Sequence, residues 1–410
     1  MSTPPLIARQ PVYDARHHVL AWDITHARAQ RPAATPSADP DSEAAEAAHF
    51  ELLTGALLVA GLERLIGNGF GFLPVSAHTL LSPTLRLLPP LQVVLTLPAA
   101  GLQSVDLPAR LAPLQRAGYR VALDGCRSLE PGLLPLLPDL DFLRLDAAAL
   151  GAAALAPLLQ SLRGAGFHGV AIATGIADAG TAQAALDAGV LGLQGPLFRR
   201  PQPVAASALD TGREAALTLI AALNRPDAGL PEISNLIRRD ATLTYKLLRY
   251  VGSAWFGLGE VHSVDHALIC LGRLRLRLWA TLVAMTGAAG ERHDLLELAL
   301  VRAGMCRDLL LAEGGDAETG TLAGLLSTLD LLFGLPLERV LAGLPLNREL
   351  RQALLEHAGP AGRALALALA YERGDWEEVH AAGRDEQVFD AYFAALAQAH
   401  ETLEQIGTSH

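Results

Sequence analysis

The first half of the chain carries its apolar residues in short unbroken runs. The second half carries them at helical spacing. A hairpin pattern opens the sequence, LIARQPVYD then HVLAWDI. From about residue 46 a helical stretch, AAHFELLTGALLVAGLERLI, leads into GFGFLPV (69–75). The runs QVVLTL (92–97), YRVALD (119–124), DFLRLD (141–146), GVAIAT (169–174) and GVLGLQG (189–195) follow, separated by helix-compatible segments such as SVDLPARLAPLQRAG. Strands covered on both faces read as continuous apolar runs, and their alternation with amphipathic segments is the mark of βα units. Six or more such runs in about 200 residues favour a (β/α) barrel over an open doubly wound sheet. No Gly-rich phosphate loop follows any strand to support the open sheet.

The pattern changes at RRPQPVAASALDTG (199–212), beyond which strand signals stop. Helical repeats follow, among them REAALTLIAALN, TLTYKLLRYVGSA, LLELALVRAGMCRDLLLAEG and GTLAGLLSTLDLLFG. The expected organisation is α/β plus all-α, with a TIM-like barrel over 1–203 and a helical domain over 204–410. Residues 31–45, RPAATPSADPDSEAA, read as a linker without apolar period.

Composition narrows the function. The chain has 410 residues, 43 of them acidic and 32 basic, for a formal charge of −11. That balance argues against a general nucleic-acid binder or a partner of anionic membranes, since both need concentrated Lys and Arg. Cys126, Cys270 and Cys306 are widely spaced and odd in number, which fits buried reduced thiols better than disulfides or structural zinc. The N-terminus lacks the apolar core of a signal peptide, and the most apolar stretch, 147–162, is too short for a membrane span and contains Pro157 and Gln160. A cytoplasmic protein is expected.

Functional groups of a parallel barrel sit at the C-terminal ends of its strands. Those positions are Asp23, Pro74 or Val75, Thr96, Asp124, Arg144 with Asp146, Thr174 and Gln194. Two or three acids among threonines, a proline and a glutamine are too few to hold two divalent cations.

These strand ends, the opening IARQPVYDARHHVLAWDITHAR and LGLQGPLFRRP resemble the EAL domain, the barrel phosphodiesterase fold that hydrolyses cyclic di-GMP. The stretch DATLTYKLLRYVGSAWFGLGEVHSVDHALICLGRLRLRLW, continued by GTLAGLLSTLDLLFGLPLERVLAGLPLNRELRQALL, resembles the HDOD domain, a helical relative of the HD hydrolases without their metal site. Together they resemble the bacterial EAL–HDOD two-domain signalling proteins over nearly the whole chain. The resemblance implies which positions have changed. The ExLxR signature falls on Asp23-Ile24-Thr25-His26-Ala27, so the glutamate is shortened and the arginine is missing, with Arg28 one residue late. The metal-binding asparagine falls on Pro74 and two glutamates on Thr96 and Thr174. The paired aspartates fall on Asp124-Gly125. The catalytic lysine falls on Arg144, which stays charged at any working pH and is no base. Only Asp124 and Gln194 stand unchanged. In the helical half the His-Asp metal pair of the HD hydrolases falls on Ser327-Thr328.

What the resemblance implies is thus a degenerate EAL domain with no catalytic residue, no metal, no cofactor and at most a vestigial ligand pocket of Asp23, Arg28, Asp124, Arg144 and Gln194. Three functions follow, in order of preference: a non-catalytic scaffold docking signalling proteins through the helical domain, a receptor that binds cyclic di-GMP without hydrolysis, and, last, an enzyme of altered chemistry. A homodimer is a candidate assembly.

Other features have plainer readings. His262 and His266 are spaced i, i+4, but cap and first-turn roles around Ser263 suffice. GRLRLRLW (272–279) reads as a basic helix face, a candidate surface for a protein partner. Tyr245, Tyr250, Trp255, Phe256 and Trp279 read as core at helical spacing, and His17-His18 as a solvated turn.

Overall fold

The computed structural model describes residues 6–26, 61–67, 69–100, 107–199, 292–342, 344 and 346–406, with single positions between 50 and 57 and between 225 and 285. The expected linker 31–45, the His262/His266 pair and the five aromatics from Tyr245 to Trp279 lie outside the described residues. So does most of the basic run, of which Gly272 and the fully buried Leu276 are described. The chain divides into two compact units, Met1–Arg199 and Arg200–His410.

The first unit is a closed barrel of eight strands in chain order: β1 Ile7–Tyr13, β2 Val19–His26, β3 Gly71–Pro74, β4 Val93–Pro98, β5 Arg120–Cys126, β6 Phe142–Asp146, β7 Val170–Thr174 and β8 Gly192–Leu193. The hairpin read from the sequence makes β1 antiparallel to both β2 and β8, and every other pairing is parallel. Helices α1 (Leu62–Ile66), α2 (Leu107–Arg116), α3 (Ala147–Leu150), α4 (Ala152–Gly164) and α5 (Ala179–Asp187) are the described helices between the strands. Of GVLGLQG only Gly192 and Leu193 pair as strand.

Side chains alternate across a strand, so one parity of each run fills the barrel. Val12, Ala21, Phe72, Val94, Ala122, Phe142 and Ile172 form that buried layer. Gly192 completes it with no side chain, because a Cβ there would stand 2.9 Å from Ile172 and 3.2 Å from Val12. His17 is less solvated than its turn position implies: it has φ 66° and stands edge-on to Phe198 at 5.4 Å.

The second unit is helical where described: α6 His293–Ala312, α7 Ala317–Leu326, α8 Leu329–Phe333, α9 Leu337–Ala342, α10 Arg348–Glu356, α11 Gly359–Arg373, α12 Trp376–Ala381 and α13 Asp385–Ile406. Short polar side chains start several of them, Asp316, Asn347 and Asp375 each accepting a backbone N–H of the first turn. Helix α6 packs against α7, α11 and α13. It is buried nearly all round, with its polar side chains Asp294, Glu297 and Arg302 buried as well. Gly320 and Gly324 let α7 approach α6 backbone to backbone; a Cβ on Gly324 would lie 2.4 Å from the Ala303 Cα.

One charged pair is sealed inside this bundle. Arg302 of α6 donates from Nε and Nη2 to the two carboxylate oxygens of Glu372 at 2.9 and 2.7 Å. Its Nη1 donates to the Ser327 hydroxyl at 2.9 Å. Burial alone would make the guanidinium easier to deprotonate, but the Glu372 charge and hydrogen bonds reverse this and hold it ionised. Removing one member strands the other charge, at a cost of about 3–5 kcal/mol, whereas replacing both by apolar groups is far milder. Chemical denaturation should therefore show Arg302→Met strongly destabilised and the Arg302→Met/Glu372→Met double variant recovering most of the loss.

Candidate functional site

Two residues beyond the buried layer, on the same face of each strand, the barrel builds a polar ring. Its members are Asp23, Pro74, Thr96, Asp124, Arg144, Thr174 and Gln194, the strand ends singled out from the sequence. Gln10 of β1 pairs directly with Asp23 across the antiparallel hairpin and so leaves the same face. The sequence reading missed it, although the alternation of β1 carries the signal.

The ring is organised by one guanidinium. Arg144 donates from Nη1 and Nη2 to Oδ1 and Oδ2 of Asp23, both at 2.8 Å, the bidentate fork in which Arg and carboxylate match best. Its Nη2 also reaches Gln194 Oε1 at 2.7 Å, and Gln194 Nε2 donates back to Asp23 Oδ2 at 2.9 Å. The Phe72 ring lies 5.3 Å below the guanidinium carbon. All three polar side chains are buried. Burial by itself would lower the Arg144 pKa, but the Asp23 and Asp124 charges beside it raise it above the ordinary value. Arg144 is a permanent cation.

Asp124 stands apart. Its Oδ1 lies 3.3 Å from the Arg144 Nε and its side chain is 43% exposed at the barrel mouth. The Nε–H makes no aligned hydrogen bond, so this contact is attraction through space. Desolvation at the rim pushes the Asp124 carboxyl upward and outweighs the pull of Arg144, with Asp23 adding to the rise. Behind it Gly125, at φ 70°, takes the left-handed turn where β5 slips register against β6.

The remaining positions face inward to the backbone. Thr96 donates to the Val94 carbonyl and Thr174 to the Leu145 carbonyl. Asp146 accepts from Arg127 Nε at 2.8 Å and caps α3 through the Ala149 N–H. Both oxygens of Asp23 already accept hydrogen bonds, and Asp146 is engaged by Arg127 and the Ala149 N–H. No group of three or more His, Cys, Asp or Glu able to hold a metal occurs among the described residues. Nucleophilic thiols are missing from the ring as well: Cys126 and Cys306 are buried, which pushes them to about 11 and about 12.

Of the five pocket residues expected from sequence, the structure brings together Asp23, Asp124, Arg144 and Gln194, while Arg28, with Ala27, lies outside the described residues. In the helical unit Ser327 and Thr328 stand where the HD pair was expected; both hydroxyls bond backbone carbonyls, and Ser327 also receives Arg302. No helix among the described residues is long and apolar enough to cross a membrane.

Residues 209–338 match the family model of the HDOD domain. The chain is similar to the cyclic di-GMP phosphodiesterase CdgJ of Vibrio cholerae, 25% identical over 377 residues that cover 91% of this chain and 86% of the relative. It is also similar to the uncharacterized protein YuxH of Bacillus subtilis, 22% identical over 412 residues, 97% of this chain and 98% of the relative. Among solved structures, the manganese and cyclic di-GMP complex of BlrP1 from Klebsiella pneumoniae has a TM-score of 0.37 at 17% identity, covering 48% of this chain and 55% of that one. The second half of the chain thus carries an HDOD domain, and the first half is a closed eight-stranded barrel.

The raised carboxyl of Asp124 has a consequence for stability. Ionising a group whose folded pKa is raised opposes folding, fully so above that pKa and not at all below the ordinary carboxylate value near ~4. Asp124→Asn should accordingly raise the melting temperature at neutral pH, with the gain vanishing in acid. A loss at neutral pH would mean that attraction to Arg144 outweighs desolvation.

Proposed function

We propose that this chain, a barrel joined to an HDOD domain, is a non-catalytic component of cyclic di-GMP signalling that docks other signalling proteins through its helical half. One observation carries the reading. A guanidinium occupies the centre of the ring and binds both oxygens of Asp23, the buried carboxylate of the ring, while Asp124 stands exposed at the mouth. Metal-assisted phosphodiester hydrolysis needs free, closely set acidic ligands and a group able to take a proton. Arg144 supplies neither. Similarity to CdgJ over most of both chains supports the link to cyclic di-GMP. That relative's name is also the argument for the opposite view, in which the barrel hydrolyses the nucleotide.

A second reading keeps the barrel as a receptor. The exposed Asp124 carboxylate at the mouth favours it, because a carboxylate can accept the two adjacent N–H groups of a guanine edge. Arg144, only 4% exposed and committed to Asp23, is poorly placed to grip phosphate. A cytoplasmic location goes with either reading.

The test is to incubate the full-length protein with cyclic di-GMP and magnesium or manganese, and to look for the linear dinucleotide by chromatography. No product is expected. Turnover that disappears in Asp124→Ala would overturn the proposal. Calorimetric titration, with calcium and then with chelator, separates scaffold from receptor: saturable heat without product would assign the barrel to nucleotide binding.

A further inference from the structure

The outer wall of the barrel unit holds a groove that the ring does not use. One side is the segment between β3 and β4, folded into the short 3-10 turns Thr79–Leu81 and Pro83–Leu87. The other side is α2. Tyr119 fixes the first side, its hydroxyl lying 2.9 Å from the Leu85 carbonyl and 2.7 Å from that of Leu88. Arg110 of α2 ties the walls together by donating to the Ala77 carbonyl at 2.9 Å. Between them run two depressions of about 440 and 450 Å³ that share Arg86 and Pro113.

Two properties make this groove unusual in the molecule. Leu81, which lines one depression, stands 64% exposed, and Leu87, next to Arg86 at the end of the 3-10 segment but outside the lining, stands 62% exposed. The groove's charge is also the reverse of the chain's. Arg86, Arg110 and Arg116 line it with no carboxylate among the lining residues, in a chain of formal charge −11. A polyanion such as nucleic acid would use the arginines but gain nothing from the exposed leucines. An amphipathic helix satisfies both features, with an apolar stripe for the leucines and flanking carboxylates for the arginines.

We propose that this groove docks an acidic amphipathic helix of a partner protein, independently of whether the ring binds a nucleotide. Complementary charge would speed encounter and set the orientation, while the leucines supply the buried contact.

The experiment uses a dye-labelled synthetic helical peptide with leucines every third or fourth residue and glutamates between, titrated into the full-length protein by fluorescence anisotropy. Saturable binding that weakens with salt is expected. The exposed pair Arg86→Glu/Arg116→Glu should weaken it about tenfold, and so should Leu81→Ser/Leu87→Ser, with circular dichroism unchanged in both. Absence of saturable binding would overturn the proposal. So would equal binding of a shuffled peptide of the same composition, which would reduce the site to a charge patch, or indifference to both pairs of substitutions. Light scattering closes the remaining route: a native dimer broken by Arg86→Glu/Arg116→Glu would show a second copy covering the groove, and the partner helix would be wrong.

Discussion

A guanidinium cannot be buried inside a barrel without partners for its charge and its donors. Arg144 satisfies that constraint by binding both oxygens of Asp23 and one of Gln194, and the rest of the ring follows from it. Desolvating two ions is costly, and attraction offsets it only when the geometry is near ideal. The bidentate fork provides that geometry. Once Asp23 is spoken for, the ring has no deep carboxylate left, and Thr96 and Thr174 turn to backbone carbonyls rather than to the centre. Arg144 and Asp23 neutralise one another, and Asp124 adds a second carboxylate 3.3 Å from the same guanidinium.

The helical unit repeats the arrangement with unrelated residues. Arg302 binds Glu372 through two contacts and takes Ser327 as its third partner, just as Arg144 takes Gln194. In each unit the cation is buried and held by a carboxylate through two hydrogen bonds.

Much of the barrel is legible in the sequence because parallel strands, buried on both faces, print as apolar runs of four to six residues. Their parity also places the ring, since alternation decides which residue of VALD or FLRLD enters the interior. The pairing inside the ring is not legible. Asp23 and Arg144 lie 121 residues apart, and only the stagger of the closed barrel brings them together. Treating each position separately accounts for Arg144 as a lost base while missing its role as partner of Asp23. Arg302 is illegible for a related reason: a lone arginine within LALVRAGMC carries no sign of Glu372, 70 residues away. The arginine-lined groove is invisible in sequence because its three charges come from two segments that face one another only after folding.

The hairpin that begins the barrel carries a further implication for how the chain assembles. Strand β1 finds β2 within a few residues, but its other edge has to wait for β8, where Tyr13 meets Leu193. During synthesis, then, an N-terminal edge stays open until nearly the whole unit has left the ribosome, and closure is the slow, long-range step. Gln194 arrives with that last strand. Arg144 and Asp23 can meet earlier, but the hydrogen-bonded triangle between them is completed only at closure. The final stitch of the barrel and the final bond of its polar centre are therefore the same event.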